Sequence, residues 1–453
     1  MLVNISGIAI SGIEAAQAQI AAVESNVANA SNPNYSAESV KLAALGGLDG
    51  AGIGVQVLGT VRAEAPFLTD QINQSQSSLN YNTAYTQVAQ VAQTALNPTS
   101  GSGLSAALDN LFTAFTNLSA TPEDSSARSS AISAASDFAQ QAQQLSQSLA
   151  SAASSSVAGL GAAVSQVNQA TAQIADLNAR ITAAQARGTG DAAALLDQRD
   201  ALVNQLSGLI GATADANGSV SVGGVPLVSG TNALTLAVTG SGPTLGLQVG
   251  LTNGNIQVPI GDLGGTIGGM LAGAANINNV RSQANSLATS VASAINAQHQ
   301  AGYGLDGSTN NALFLIPGNA GGPIAINPAI TVQNLAASST AAGVPGDGSN
   351  AAALAAIGSQ AGVDVSFPTA TAGAALTDIE STFGSAIQSA TSEQQTQSAM
   401  LQSLQQLKGS VTGVSLNDQL TQLVQYSNML QAAGRALQAA NDLTTFLIQV
   451  AGQ

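Results

Sequence analysis

The stretch 415–450, SLNDQLTQLVQYSNMLQAAGRALQAANDLTTFLIQV, decides how the rest of the chain is read. Leu416, Leu423, Leu430 and Leu437 recur every seven residues, with Leu420 and Ile448 on one flank and Tyr426, Ala433, Ala440 and Leu447 on the other. A seven-residue apolar repeat is the seam of a helix that coils against another helix. An ordinary core helix of this length shows similar spacing. Ser415 is placed to cap the helix, and Asp418 three positions on completes a capping-box pattern. At ~1.5 Å per residue the helix is a rod of roughly 52 Å. Fully burying one leucine is worth ~1.5–3 kcal/mol, so the seam calls for a partner.

The other end of the chain offers one. Ile13, Ile20 and Val27 are also seven apart, with Ala9, Ala16 and Val23 beside them. A helix over about 7–27 would match much of the C-terminal seam, which brings both ends of the chain to one place.

The 453 residues allow about three domains and an ample core. Charged residues are only 7% of the chain, so Ala, Ser, Gln, Asn and Gly supply the surface. A net charge of -15 argues against nucleic acid and anionic membrane as partners, because binding phosphate needs clustered Lys and Arg. With no cysteine, disulfides and thiolate chemistry are excluded. No cationic segment followed by an apolar run opens the sequence, and no stretch of about 20 apolar residues spans a bilayer. The expectation is a protein that, if exported, leaves without a cleaved signal.

Along the chain, Ile53, Val55 and Val57 alternate as a short strand, and helical spacing runs from Phe67 to Leu96 and from Leu104 to Leu118. Thr121-Pro122-Glu123-Asp124 reads as a helix start capped by Thr121. The pattern then stays helical to Arg187, and after a Gly-Thr-Gly turn Leu195, Leu202 and Leu209 line another helix. At Gly211 the period changes to two: Val220, Val222 and 225–228 flank Gly223-Gly224, and Leu245 to Leu251 answers Ile256 to Ile260 across Asn253-Gly254. Asn-Gly between alternating apolar runs is a strong hairpin signal. Helix returns from Ile267 to Val291 and from Leu376 to Leu407, around a Gly/Pro/Ala-rich stretch at 312–370.

The fold class is therefore mainly α with a β-rich insert (α+β): a long helical bundle, paired terminal coiled-coil helices and an outward β domain. The expected division is 1–45 with 413–453 as the paired terminal helices; 46–211, 261–311 and 371–412 as the bundle; and 212–260 with 312–370 as the outer β-rich domain. On this reading the insert buries its own apolar faces, and replacing 214–260 with a linker leaves the bundle folded.

Several segments resemble a known family. SNVANASNPNYS is similar to the N-N-I-A-N-x-x-T-P-G-Y signature of bacterial flagellar axial proteins, with Asn26, Val27, Ala28, Asn29, Pro33 and Tyr35 on the pattern. Ser25, Asn32 and Asn34 depart from it. Glu123, Asp124, Ala127 and Arg128 match N-x-E-D-P-A-A-R. LLDQRDALVNQLS closely resembles a segment of the flagellar hook-associated protein 1 family that rod and hook subunits lack. GIGVQVLGTVRAEAPFLTDQI, LGGTIGGMLAG and INAQHQAGYGLDGS resemble it in order, as does the C-terminal helix from Gly413 and Val414 onward.

The resemblance implies a structural subunit between flagellar hook and filament, not an enzyme. It implies export through the flagellar type III route to an extracellular place on the flagellum. Implied partners are further copies in a ring, the hook protein, the next junction protein or flagellin, and an export chaperone. The implied assembly interface is Ile13, Ile20, Val27, Asn29, Pro33, Tyr35, Leu416, Leu423, Leu430, Leu437 and Leu447. Two other readings compete: another axial subunit (hook or rod), and a secreted adhesin whose β insert is the functional part. The absence of Trp and an aromatic content of 3% count against a sugar-binding platform.

Chemistry is sparse. The one histidine, His299, reads as a surface or packing residue and rules out a two-histidine zinc motif. No Gly-x-Ser-x-Gly elbow accompanies it. Asp306-Gly307 with Asn310 fits a β-turn better than a calcium loop. Gly52, Gly54 and Gly59 lack dinucleotide spacing. No catalytic, cofactor-binding or metal-binding residue is assigned.

Overall fold

The computed structural model describes residues 2–46, 52–96, 102–187, 192–240, 246–251, 254–317 and 322–451. Leu245, Asn253 and the Gly-Thr-Gly turn at 188–190 lie outside them. The N-terminal helix α1 (Leu2–Asn29) is followed by an antiparallel hairpin of β1 (Glu38–Gly46) and β2 (Gly52–Arg62). Five helices follow: α2 (Pro66–Leu96), α3 (Leu104–Ala120), α4 (Ser125–Ser156), α5 (Leu160–Arg187) and α6 (Ala192–Ile210). The insert holds two antiparallel sheets. One is β3 (Thr213–Ala214), β4 (Val220–Val222), β5 (Val225–Ser229) and β6 (Asn232–Ala233); the other is β7 (Thr235–Thr239), β8 (Gly246–Leu251) and β9 (Gly254–Val258). Then come α7 (Gly265–Ala301), the short pair β10 (Phe314–Leu315) and β11 (Ala325–Ile326), α8 (Ser349–Ala356), α9 (Ala372–Thr412) and α10 (Leu416–Ala451).

The sequence reading holds for the long helices and for the insert hairpins, and the structure corrects it at four points. Within 1–45, expected as terminal helix, Glu38–Gly46 is instead the strand β1, which pairs with the strand at 53–57 and whose alternation is diluted by Lys41 and a Leu-Ala-Ala-Leu run. The helix after Pro122 starts at Ser125, because Asp124 rather than Thr121 supplies the cap: its carboxylate accepts the Ser126 N–H at 2.8 Å. The Thr121 N–H instead bonds the Asn117 carbonyl and closes α3.

The third correction concerns the insert, which is not a self-contained unit. Val220, Val222, Leu227, Val228, Leu236, Leu247, Val249 and Val258 share one core with Val167 and Ile174 of α5 and with Val203, Leu206 and Ile210 of α6. Short strands in small sheets cannot enclose their own apolar faces, so two of the expected bundle helices serve as their floor.

The fourth is the grouping of 312–370 with 212–260 as β-rich: the described part of this segment holds two two-residue strands, β10 and β11, and the helix α8. Leu313, Phe314, Ile324, Ile330, Leu335, Leu354 and Ile357 are buried in the other large core, with α2, α3, α4, α7 and α9. Two buried polar side chains pin this segment. Arg128, 1% exposed, donates from Nε to the Pro122 carbonyl (2.6 Å) and from Nη1 to the carbonyls of Val332 (3.0 Å) and Leu335 (2.7 Å). Burial lowers its pKa, against the opposing field of Asp306. His299 is fully buried: its Nδ1 pairs with the Asn311 carbonyl at 2.6 Å, and its Nε2 accepts the Ala336 N–H at 2.9 Å. That set of partners fixes a neutral ring with the proton on Nδ1.

The glycines of LGGTIGGMLAG let two helices close. A Cβ at Gly273 of α7 would sit 2.6 Å from Val88 Cγ1 of α2, and one at Gly269 would sit 2.9 Å from Ala84 Cβ. At the bend before α7, Gly265 takes φ +61 with Leu209 and Ile210 backbone against it.

Candidate assembly interface

The two ends of the chain do meet. Gly12 lies against Ala433, where a Cβ would be 3.6 Å from the Ala433 Cβ, and Asn26 bonds Gln419 at 3.0 Å. The order of these partners makes α1 and α10 antiparallel. Ser415 bonds the start of α10: its carbonyl accepts the Gln419 N–H at 3.0 Å, and its hydroxyl takes a long 3.5 Å bond from the Asp418 N–H.

The most buried row of α1 is the flanking one, three and four positions from Ile13, Ile20 and Val27. Ala9, Ala16 and Val23, with Ala15, Ala22 and Asn26, are buried; Ile13 and Ile20 are half-buried and Val27 is exposed. Small side chains let helices and strands approach closely, so the alanine row takes the contacts and the bulkier isoleucines sit at its edge. The hairpin covers part of α1 as well: the Ser11 hydroxyl accepts the Val55 N–H at 3.2 Å, beneath Gly54 at φ +139.

On α10, Leu423, Leu430 and Leu437 are half-buried, whereas Leu416 and Leu447 are exposed. Leu420, Val424, Leu443, Phe446, Ile448 and Val450 are exposed too. Large apolar side chains thus follow most of its length uncovered.

The loop after α1 is organised by a residue outside the interface set read from sequence. Asn26 is 1% exposed; its Nδ2 donates to the Glu38 carbonyl (2.9 Å) and to Gln419 Oε1, and its Oδ1 accepts from the Tyr35 hydroxyl (2.9 Å) and the Glu38 N–H (2.7 Å). Four bonds from one amide tie α1, Tyr35, β1 and α10 together. Burial raises the Tyr35 pKa, and burial with the nearby Asp197 raises that of the Glu38 carboxyl. The Asn29 side chain donates back to the Ser25 carbonyl at 3.0 Å, and Asn29 and Pro33 line a cavity of about 490 Å³.

Below the loop, the carboxylates of LLDQRD, which in sequence fit either a solvated helix face or a local ion-pair set with Arg199, reach a distant partner instead. Asp197 accepts from Arg62 Nη1 (2.7 Å) and from the Ser36 N–H (3.1 Å), and Asp200 accepts from Arg62 Nη2 (2.8 Å). Burial pulls the Arg62 pKa down, but Asp200 and Asp197 more than offset this and the net shift is upward. Asp197 and Asp200, three apart on one helix face, each take one nitrogen of the guanidinium fork. Among the described residues, no group of three or more His, Cys, Asp or Glu side chains is arranged to hold a metal ion.

These features define a helical-bundle protein with a β insert whose chain ends pair with each other and leave apolar rows uncovered. The chain belongs to the family of the flagellar hook-associated protein FlgK, whose helical-domain model matches residues 88–314, half of the chain. A solved structure, the flagellar hook junction protein FlgK from Burkholderia pseudomallei, is 30% identical, covering 55% of this chain and 46% of that one with a TM-score of 0.49. The chain thus matches about half the length of that protein. Comparison with curated proteins gives no match.

Proposed function

We propose that this chain is a structural, non-catalytic subunit of the bacterial flagellum that joins hook to filament and self-assembles through its terminal helices. The observation that carries the reading is the pairing of α1 with α10 at one end of a bundle, with Leu416, Leu420, Leu447 and Ile448 left on the surface. Family membership supplies the flagellar setting. Leaving so much apolar area in water is costly, at about 25 cal/mol per Å², and neighbouring copies in a ring would cover it. The partners on this reading are other copies, the hook protein, and the next junction protein or flagellin. An export chaperone would hold the helices apart before assembly, and the protein would reach the cell exterior through the flagellar type III route. No helix among the described residues is long and apolar enough to cross a membrane.

The test is Leu430→Asp. A carboxylate in the half-covered row is costly to bury unpaired. The expected result is secreted, folded monomer, loss of filaments and flagellin shed into the medium, with immunogold label on wild-type flagella confined to one band at the hook–filament boundary. Label along the hook would instead indicate a hook subunit.

A further inference from the structure

We propose that Arg62, gripped by Asp197 and Asp200, is a latch that sets the angle between the terminal unit (α1, the hairpin and α10) and the helical bundle. This goes beyond the proposed function: it concerns how the terminal unit is aimed, whatever it assembles with.

The argument starts from what joins the two parts. Among the described residues, the four apolar cores contain no buried residue of α1, β1, β2 or α10; the one nearest the junction, Ile72 with Leu401 and Leu404, belongs to α2 and α9. The chain crosses the junction twice, at 63–65 and at 413–415. Besides the Arg62 fork and the Ser36–Asp197 bond, the described backbone link is the Ala37 N–H to the Thr412 carbonyl at 2.8 Å. Hydrophobic packing resists rotation over a broad area, but a few polar bonds resist it only through their geometry.

There is also room to turn. A cavity of about 490 Å³ and another of about 360 Å³ flank the fork, and Asp200 and Lys408 line both. Arg62 is ion-paired with Asp197 and Asp200 of α6 and, through Nε at 3.2 Å, with the Glu64 carboxylate on the connecting segment. Without the fork, or without the two carboxylates that hold it, the strand side of the junction loses its ion-paired link to α6. The guanidinium plane fixes direction as well as distance, which an ammonium cannot do.

The chain's lack of cysteine makes the test clean. Gln205→Cys on α6 and Gln431→Cys on α10, both at exposed positions, take spin labels in the full-length protein, and pulsed electron resonance reads the distance distribution between them. The wild type should give one narrow distribution. Arg62→Gln should broaden it at least twofold, Arg62→Lys should fall between, and Asp197→Asn with Asp200→Asn should reproduce Arg62→Gln. All variants should keep the wild-type melting transition of the bundle, whose cores the latch does not enter. A distribution in Arg62→Gln as narrow as in the wild type would overturn the proposal, as would a wild type already broad. An Arg62→Gln chain that fails to fold, while the double aspartate variant folds with a narrow distribution, also overturns it, since Arg62 would then be a folding residue only.

Discussion

The bundle core and the terminal pair are written in the same alphabet, leucines and alanines at helical spacing, yet they use it differently. In the bundle, Leu111, Phe115 and Leu118 of α3 and Ile277, Val291 and Ile295 of α7 are 0% exposed. In the terminal pair, Leu416 is 51% exposed, Leu447 40% and Ile448 68%. Two helices alone can cover only one stripe of each other, whereas a bundle helix meets neighbours on several sides. The periodicity of α10 therefore records more contacts than one chain supplies. The difference separates residues that hold the subunit together from residues that wait for another surface.

The severest way to probe the bundle side is to replace residues 214–260 with a Gly/Ser linker. The deletion strips the strands from the core they share with α5 and α6, so those two helices should lose protection from hydrogen exchange. The α3–α4–α7–α9 core should keep its own. Full protection of α5 and α6 in the deletion would restore the insert to an independent unit. Next in size is Phe115→Ala, which leaves a large cavity at a fully buried site and should cost about 3–5 kcal/mol, read as a lowered denaturant midpoint with unchanged slope. A loss under about 1 kcal/mol there would erase the contrast between the two regions.

Which parts of this were legible in sequence follows from the range of the interactions. The helices were, because three-and-four spacing is local, and so were the hairpins around Gly223-Gly224 and after Leu251. The pairing of the chain ends was legible because two heptad rows of similar length had no other obvious cover. The row in contact was not: Ile13, Ile20 and Val27 look more like a seam than Ala9, Ala16 and Val23, and only the approach distance between helices favours alanine. Asn26 stood inside a recognisable signature, yet its role depends on Glu38 and Gln419, 12 and 393 positions away. Likewise Asp197 and Asp200 announce an ion pair, but Arg62 lies 135 positions before Asp197. Nothing local in the sequence says that 312–370 joins the bundle core, since Arg128 and His299 hold it through backbone carbonyls and an amide.

His299 sharpens the comparison from the bundle side at smaller cost. Burial lowers its pKa below the ordinary 6.5, with the Asn311 bond opposing. A base whose folded pKa is depressed contributes stability above its unfolded pKa, and loses it as pH falls toward the folded value. Bundle stability should therefore decline as pH drops below about 6.5, and the ring resonances of this single histidine should not titrate at that pH. Glu38, near the terminal pair, has the opposite sign: its raised pKa disfavours the folded state as pH rises through it. A histidine titrating at 6.5 in the folded protein would mean that the Asn311 and Ala336 contacts do not hold.

The smallest effect expected in the monomer is also the most discriminating. Leu447→Ala removes a side chain that is already 40% exposed on α10, so the isolated subunit should change by no more than about 0.5 kcal/mol. In an assembly that covers this row, the same truncation forfeits part of the ~1.5–3 kcal/mol that burying a leucine contributes. Since ~1.4 kcal/mol is tenfold in affinity, each contact between subunits should weaken several-fold or more, and the loss repeats at every copy. The pair of measurements is the melting curve of the purified monomer and the retention of filaments under graded shear. An unchanged melt with filaments shed at lower shear places Leu447 among the residues that wait for another surface. A melt lowered as far as that of Phe115→Ala would show that the monomer already buries this row, and the uncovered face of α10 would no longer argue for self-assembly.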